Sequence, residues 1–308
     1  MKIITLTLNP AFDVHCSCDN FKPYHESIAK VLSKDAGGKG VNVSRALIEN
    51  GTDNLAVVVV GKENGVEFCK ALEKDGMNVA SIWVDGRIRE NITLHEESNP
   101  ETRISFEGFS CDSSILKDIQ EKIGKVNSQT IVTFTGSIPK GIKVEEVLEL
   151  LRSLRAQGAK IVIDSRSVSL ADLISFKPWL IKPNKDEAEA YAKRKIQSVS
   201  DAIMIARRFY DKGINNVLLS LGGDGAVLAY KNGVLVATAP NVEICSTIGA
   251  GDSMIAGFID GVSKGFDEVA VLKRAVAFGT AACKQAGTKP PSANDVEELI
   301  KMVQVKKM

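Results

Sequence analysis

The chain has little of what would direct it to a nucleic acid, a membrane or an oxidising compartment. Its 39 basic residues are matched by 38 acidic ones, so no excess of one sign draws it to phosphodiester backbones or anionic lipid. No apolar run approaches the ~18–20 residues that span a bilayer. Met1-Lys2 leads straight into a short apolar strand, with no leader pattern. The six cysteines (16, 18, 69, 111, 245, 283) are scattered. His15, Cys16 and Cys18 lie close together, but no second pair stands at zinc spacing, so reduced thiols on alternating strand faces are expected. The common phosphate-binding and kinase signatures are also missing: no Gly-x-x-x-x-Gly-Lys-Ser/Thr, no Gly-x-Gly-x-x-Gly after the first strand, no His-Arg-Asp and no Asp-Phe-Gly. There is no internal repeat, low-complexity tract or linker. These absences predict a soluble, cytoplasmic protein with neither nucleic acid nor membrane as partner.

What is present is a chain of 308 residues, 44% hydrophobic, enough for one large α/β domain with a small appendage or for two ordinary domains. Ile3 to Leu8 reads as a strand ending at Asn9-Pro10, with Asp13 just beyond it. Residues 14–35 lack a helical period, and short strands are expected at His15 to Cys18 and Ile28 to Leu32 around a turn at Pro23. Gly37-Gly38-Lys39-Gly40 then opens a helix that stops at Gly51. Ala56 to Val60 is an apolar run of the kind buried on both faces of a parallel sheet, and a helix follows from about Asn64 to Asp75. The stretch 79–109 again lacks helical period. Its residues 88–95 alternate, and Ile104 to Phe109 is expected to pair back across Asn99-Pro100.

From residue 130 onward strand and helix alternate: strands at 130–135, 160–164, 179–182 and 216–221, and helices at 143–157, around Glu187 and at 199–212. A hairpin on Asn232-Gly233 and helices at 252–264, 267–285 and 293–303 complete the chain. This order predicts a mostly parallel sheet with helices on both faces and a small β lid formed by about 14–35 and 88–109. Ligands of such sheets sit at the carboxyl ends of the strands, where Asp13, Ser137, Asn184 and Gly222 are expected to gather. Asp164 also ends a strand, without an assigned role.

Ser246-Thr247-Ile248-Gly249-Ala250-Gly251-Asp252-Ser253 is the stretch most suggestive of chemistry. Its small residues allow close backbone approach and open a helix whose first N–H groups face outward. Such a turn binds anions, and a carboxylate beside it suits proton removal from a hydroxyl that accepts a phosphoryl group. The alternative is that Asp252 only caps the helix. Likewise Lys39 and Arg89 could be solvated charges, Asp13 and Ser137 could cap turns, and Asn184 could cap the helix carrying Glu187.

Two signatures, Gly37-Gly38-Lys39-Gly40-Val41-Asn42 near the start and Gly249-Ala250-Gly251-Asp252 near the end, resemble those of the ribokinase-like carbohydrate kinases of the phosphofructokinase-B group, and the resemblance extends over essentially the whole length. Asn9-Pro10-Ala11-Phe12-Asp13, Gly136-Ser137-Ile138-Pro139 and Arg89-Glu90-Asn91-Ile92-Thr93-Leu94 are similar to members acting on sugar phosphates. The resemblance implies one ribokinase-like domain over 1–308 and ATP- and Mg²⁺-dependent phosphorylation of a ketohexose phosphate. Fructose 1-phosphate is the favoured substrate and tagatose 6-phosphate the alternative. A non-catalytic sugar-phosphate-binding regulator is the reading of another class.

By the same resemblance Asp252 is the base and the N–H groups of Gly249, Ala250 and Gly251 form the anion hole. Asp13, Gly38 and Asn42 contact the sugar, and Lys39, Arg89 and Ser137 its phosphate. Lys182, Asn184, Ser220, Gly222, Gly223, Gly225 and again Gly251 border ATP, and Glu187 acts indirectly on Mg²⁺. One departure stands out: Glu26-Ser27-Ile28 replaces an Asn-Arg-like pair on the first lid strand, so a substrate-phosphate cation is missing there. The lid's exposed edges also predict a homodimer.

Overall fold

A computed structural model describes residues 1–19, 21–22, 24–96 and 102–308. Buried, largely apolar segments of five to seven residues, with the two-residue strand Leu180–Ile181 among them, form the strands at its centre, and amphipathic segments between them form the covering helices. In chain order the first half comprises β1 (Lys2–Thr7), β2 (Ala11–Ser17), β3 (Lys30–Gly37), α1 (Lys39–Glu49), β4 (Leu55–Gly61), α2 (Gly65–Lys74), β5 (Val79–Val84), β6 (Arg89–His95), β7 (Thr102–Ser105), α3 (Ile115–Ile123) and β8 (Thr130–Thr135). The second half comprises α4 (Val144–Ala156), β9 (Lys160–Asp164), α5 (Leu170–Phe176), β10 (Leu180–Ile181), α6 (Lys185–Ala192), α7 (Val199–Asp211), β11 (Asn216–Ser220), β12 (Ala226–Tyr230), β13 (Gly233–Thr238), α8 (Ala250–Ser263), α9 (Glu268–Cys283), α10 (Ala293–Met302) and β14 (Gln304–Lys307).

The main sheet has ten strands in the order β14-β13-β12-β11-β10-β9-β8-β1-β4-β5. The seven from β11 to β5 run parallel, and β12, β13 and β14 add an antiparallel edge. The chain leaves β1 towards β4 on one side and later returns to β8 on the other. That reversal opens a crevice at the carboxyl ends of β1 and β8, the usual ligand position in such sheets. Two apolar clusters, one on each face of the sheet, make the core. The second sheet is the expected lid, with strand order β3-β2-β6-β7.

The mostly parallel α/β architecture with a lid is as expected, and several details correct the sequence reading. Asp13 lies within β2 and not in a loop after β1. The second lid strand runs from Lys30 to Gly37, so Lys30 to Leu32 of the expected strand fall within it and Ile28 and Ala29 fall outside. It continues past Leu32 because its later residues pair with β2 from Ala11 to His15. β7 ends at Ser105, before Phe106 to Phe109. β5 belongs to the main sheet, where as an edge strand it carries the mixed exposure that hid it within 79–109. The helix α3 buries Ile115, Ile119 and Ile123 at four-residue spacing, a pattern the sequence reading overlooked. The short α5, capped reciprocally by Ser169 and Asp172, and the edge strand β14 were also unread. The turns expected at Pro23 and Asn99-Pro100 lie outside the described residues. Among the described residues no helix is long and apolar enough to cross a membrane.

Candidate active site

The carboxyl ends of β1, β8, β9 and β10, the first turns of α1 and α8, and one face of the lid enclose a cleft of about 650 Å³. Its size suits a small polar ligand. Gly38, Lys39, Asn42, Asp13, Arg89, Ser137, Lys182, Asn184, Glu187, Ser220, Gly249, Gly251 and Asp252 all line it, so most of the expected site residues converge. Ala250 occupies the first position of α8 between two lining residues. Gly222, Gly223 and Gly225 do not line this cleft. The first two form an exposed turn after β11. At Gly225, φ is +100° and a Cβ would lie 2.0 Å from the Ala237 carbonyl, so this glycine permits close strand packing.

Local backbone chemistry explains how each side chain is aimed. Gly38, at φ +121°, is the N-cap of α1; a Cβ there would meet Thr7 at 2.9 Å and Pro10 at 3.2 Å. That fit places Lys39 and Asn42 in the first turn of α1, facing α8. Gly249 is the N-cap of α8 in a left-handed conformation and offers no side-chain cap. Asp252 therefore does not cap its helix. It is buried, and its Oδ2 accepts from Asn42 Nδ2 at 2.9 Å. Asn184 and Glu187 do form the reciprocal cap on α6, at 2.8 and 3.1 Å, while both still face the cleft. Arg166 approaches the other oxygen of Glu187 at 3.6 Å.

The electrostatics centre on two buried carboxylates. Asp164 pairs with Lys39 at 2.8 Å and lies 3.9 Å from Lys182. Burial opposes the Asp164 charge, but Lys182 and Lys39 outweigh it and hold the carboxyl below its ordinary range. Burial opposes the Lys39 charge as well; the fields of Asp164 and Asp252 prevail and raise its pKa. Asp252 goes the other way. Burial, with the nearby Asp164 charge, pushes it up to about 6 against the pull of Lys39, Asn42 and Lys182. Lys182 lies directly under the helix start, since a Cβ on Gly251 would stand 3.0 Å from its Nζ.

The lid supplies a second polar face. In register, Asp13 is opposite Asn91 and Asn91 opposite Ser105, with Arg103 opposite Thr93. Asp13 Oδ1 accepts from Asn91 Nδ2 at 2.9 Å and from Arg103 Nη2 at 3.3 Å. Arg89 is half-buried, and burial holds its pKa below the usual value; Asp13 offsets this and Arg103 adds to it. Thr7 Oγ1, Asn9 Oδ1, Asn42 Oδ1, Asn91 Oδ1 and Arg89 Nε line the cleft as buried polar atoms without a hydrogen-bond partner among the described residues. Buried polar atoms are normally paired, so their concentration here marks a site built for a polar ligand.

Sequence reasoning missed Asn91, Arg103, Ser105 and Arg166 as site residues and left Asp164 unassigned. Asp164 carried a usable signal, its place at a strand's carboxyl end. Arg103 carried none, because only the pairing register of β6 and β7 brings it to the cleft. It also places a lid cation in the cleft where Glu26-Ser27-Ile28 had left none.

The family model described as pfkB family carbohydrate kinase matches residues 10–295. The 1-phosphofructokinase of Escherichia coli is 31% identical over 286 residues, covering 92% of each chain. The tagatose-6-phosphate kinase of Staphylococcus epidermidis is 27% identical over 98% of this chain and 99% of its own. Among solved structures, phosphofructokinase-2 from Escherichia coli in complex with substrates and products superposes with a TM-score of 0.92, at 26% identity over 98% of this chain and 99% of that one. A two-sheet α/β fold and a buried carboxylate at a glycine-opened helix thus coincide with sequence similarity over nearly the full length, and the chain belongs to the pfkB family of carbohydrate kinases.

Proposed function

We propose that the protein transfers the γ-phosphoryl group of ATP to a hydroxyl of a ketohexose phosphate, with fructose 1-phosphate giving fructose 1,6-bisphosphate as the favoured reaction. The observation that carries this reading is the joining of two sites in one cleft: a buried carboxylate at the first turn of α8, and the lid cations Arg89 and Arg103 facing it across the sugar-sized space. Asp252 takes the proton as the hydroxyl oxygen bonds to the γ-phosphorus and the bond to the ADP oxygen breaks. A base near pKa 6 is ionised at neutral pH yet basic enough to accept that proton. The N–H groups of Gly249, Ala250 and Gly251, with the Lys182 ammonium beneath, offset the charge on the transferring group. Asp13, Gly38 and Asn42 orient the sugar, while Lys39, Arg89 and Ser137 receive its phosphate. Ser220 and the turn bearing Gly222 and Gly223 border the nucleotide.

Among the described residues no three His, Cys, Asp or Glu side chains cluster as a metal cage. Glu187, with one oxygen only loosely held by Arg166, fits a Mg²⁺ that enters on the triphosphate and keeps its waters. Such an ion neutralises phosphate charge. The reading makes the two sheets one α/β domain with its lid and puts the enzyme in the cytoplasm, in keeping with six free cysteines. A homodimer through the lid belongs to the same reading, supported by apolar side chains exposed there.

The similarity to a tagatose-6-phosphate kinase favours a second reading that differs only in the sugar. The test is ADP release with ATP and Mg²⁺ on fructose 1-phosphate, tagatose 6-phosphate, fructose 6-phosphate, fructose and ribose. Preference for fructose 1-phosphate is expected. Preference for tagatose 6-phosphate keeps the mechanism and changes the sugar, and turnover confined to unphosphorylated sugars overturns the phosphate assignment. Binding without turnover would make the protein a regulator, a role in which a buried base has no use.

A further inference from the structure

Arg103 is in an unusual position for a cleft cation. It projects from β7 towards Asp13, its Nη2 touching Oδ1 at 3.3 Å, while its side chain remains 42% exposed. Asp13 is buried, and its Oδ1 is already held by Asn91. Arg89 stands near enough for mutual repulsion with Arg103, and its own Nε is buried without a hydrogen-bond partner among the described residues. Two guanidinium groups therefore face the same end of the cleft with one carboxylate between them. That excess positive charge suits a dianion, and planar guanidinium forks suit phosphate oxygens.

The contact with Asp13 adds a consequence. Asp13 is the carboxylate to which the proposed function gives the sugar hydroxyls, so a sugar must compete with Arg103 for it. A phosphorylated sugar draws Arg103 onto its phosphate and frees the carboxylate in the same event. An unphosphorylated sugar provides nothing for Arg103 to move to, and must displace a charge-assisted contact unaided. We propose that Arg103 is a specificity-determining residue: held on Asp13 in the empty site, it couples recognition of the sugar phosphate to release of the carboxylate that binds the sugar, and so rejects unphosphorylated sugars. This inference rests on the sugar-phosphate kinase reading above. It is a statement about selection between substrates, since rejection is as much a part of specificity as attraction.

The test compares wild type, Arg103→Gln and Arg103→Lys in steady-state assays with fructose 1-phosphate and with fructose, after thermal melts establish that all three are folded. The side chain's exposure makes both variants compatible with folding. Arg103→Gln is expected to raise KM for fructose 1-phosphate about 10- to 100-fold, the usual effect of losing a hydrogen bond to a charged group. It is also expected to raise kcat/KM for fructose several-fold, because Asp13 is then unobstructed. Arg103→Lys, with its charge but no fork, should fall between the two. A variant that weakens both substrates alike, or weakens the phosphate alone with no gain on fructose, overturns the coupling. Wild type that turns over fructose but no sugar phosphate overturns the proposed function and this inference with it. Wild type selective for the phosphate beside a variant of unchanged selectivity overturns this inference alone.

Discussion

With Asp252 as the base of the proposed reaction, the chemistry and the cost of the site fall on one side chain. Its carboxyl is raised to about 6 by burial, so kcat/KM should fall as pH drops through that value, because the base becomes protonated. The stability effect has the opposite sign. In the unfolded chain the group titrates near its ordinary 3.8, so between about 4 and 6 the folded state holds the extra proton and stability falls as pH rises. Above that window the buried charge costs up to about 3 kcal/mol. Asp252→Asn should thus abolish turnover, leave ATP binding largely intact and raise the melting temperature at pH 7.5. Unchanged turnover, or a melting temperature that drops, would contradict the assignment. At this scale the sequence was informative where residues sit in short motifs. Lys39, Asn42 and Asp252 were each recognisable from their glycine neighbours. It was silent where a residue enters the cleft through pairing register, as Asn91 and Arg103 do.

Among elements, α8 matters most, since its first turn holds the N–H groups and the buried Asp252 carboxylate to which the proposed function gives the anion and the proton. Its position is fixed by α9, which packs against it closely because glycines remove side chains at the contact. A Cβ on Gly257 would meet the Arg274 carbonyl at 2.7 Å and the Phe278 ring at 2.8 Å. Below this contact the fully buried Asp260 pairs with Arg274 at 2.5 Å and Lys264 at 2.8 Å, pinning the helix pair. Gly257→Ala should therefore push α8 away from α9, at a cost of about 1–3 kcal/mol for overpacking. The melting temperature should fall, and kcat should fall further than stability alone explains, because small misplacements at a reacting centre cost large factors in rate. A variant with lowered melting temperature and unaltered kcat would show that α8 is not held in place by this packing. The same scale shows why some elements could be read and others not. α1, α4 and α7 carry strong apolar stripes and clear stops. β5 and β14 are edge strands whose mixed exposure lacks a distinctive period, and α5 has seven residues, too few to show one.

At the scale of the whole molecule, the lid separates two surfaces that alternate along β7. Arg103 and Ser105 face the cleft, while Ile104 between them points the other way, as strand geometry requires, and is 48% exposed. Val31 and Leu32 on β3 and Phe106 just beyond β7 are also exposed, and Ile28 before β3 is 90% exposed. β3 and β7 are the two outer strands of their sheet, so unpaired backbone and apolar side chains coincide at both borders. A strand edge of this kind either meets a partner or invites aggregation. A second copy of the chain, which presents the same open strand edges and apolar side chains, is a partner that would cover it, and covering it would stiffen the strand that carries Arg103. The wild-type protein is therefore expected to run as a dimer in light scattering at micromolar concentration. Ile104→Lys, on the face of β7 opposite Arg103 and Ser105, should shift it to monomer and raise KM for the sugar phosphate with little change in melting temperature. A monomeric wild type would remove the basis for the lid dimer. A monomeric variant with unaltered KM would leave the dimer standing but sever its link to the cleft.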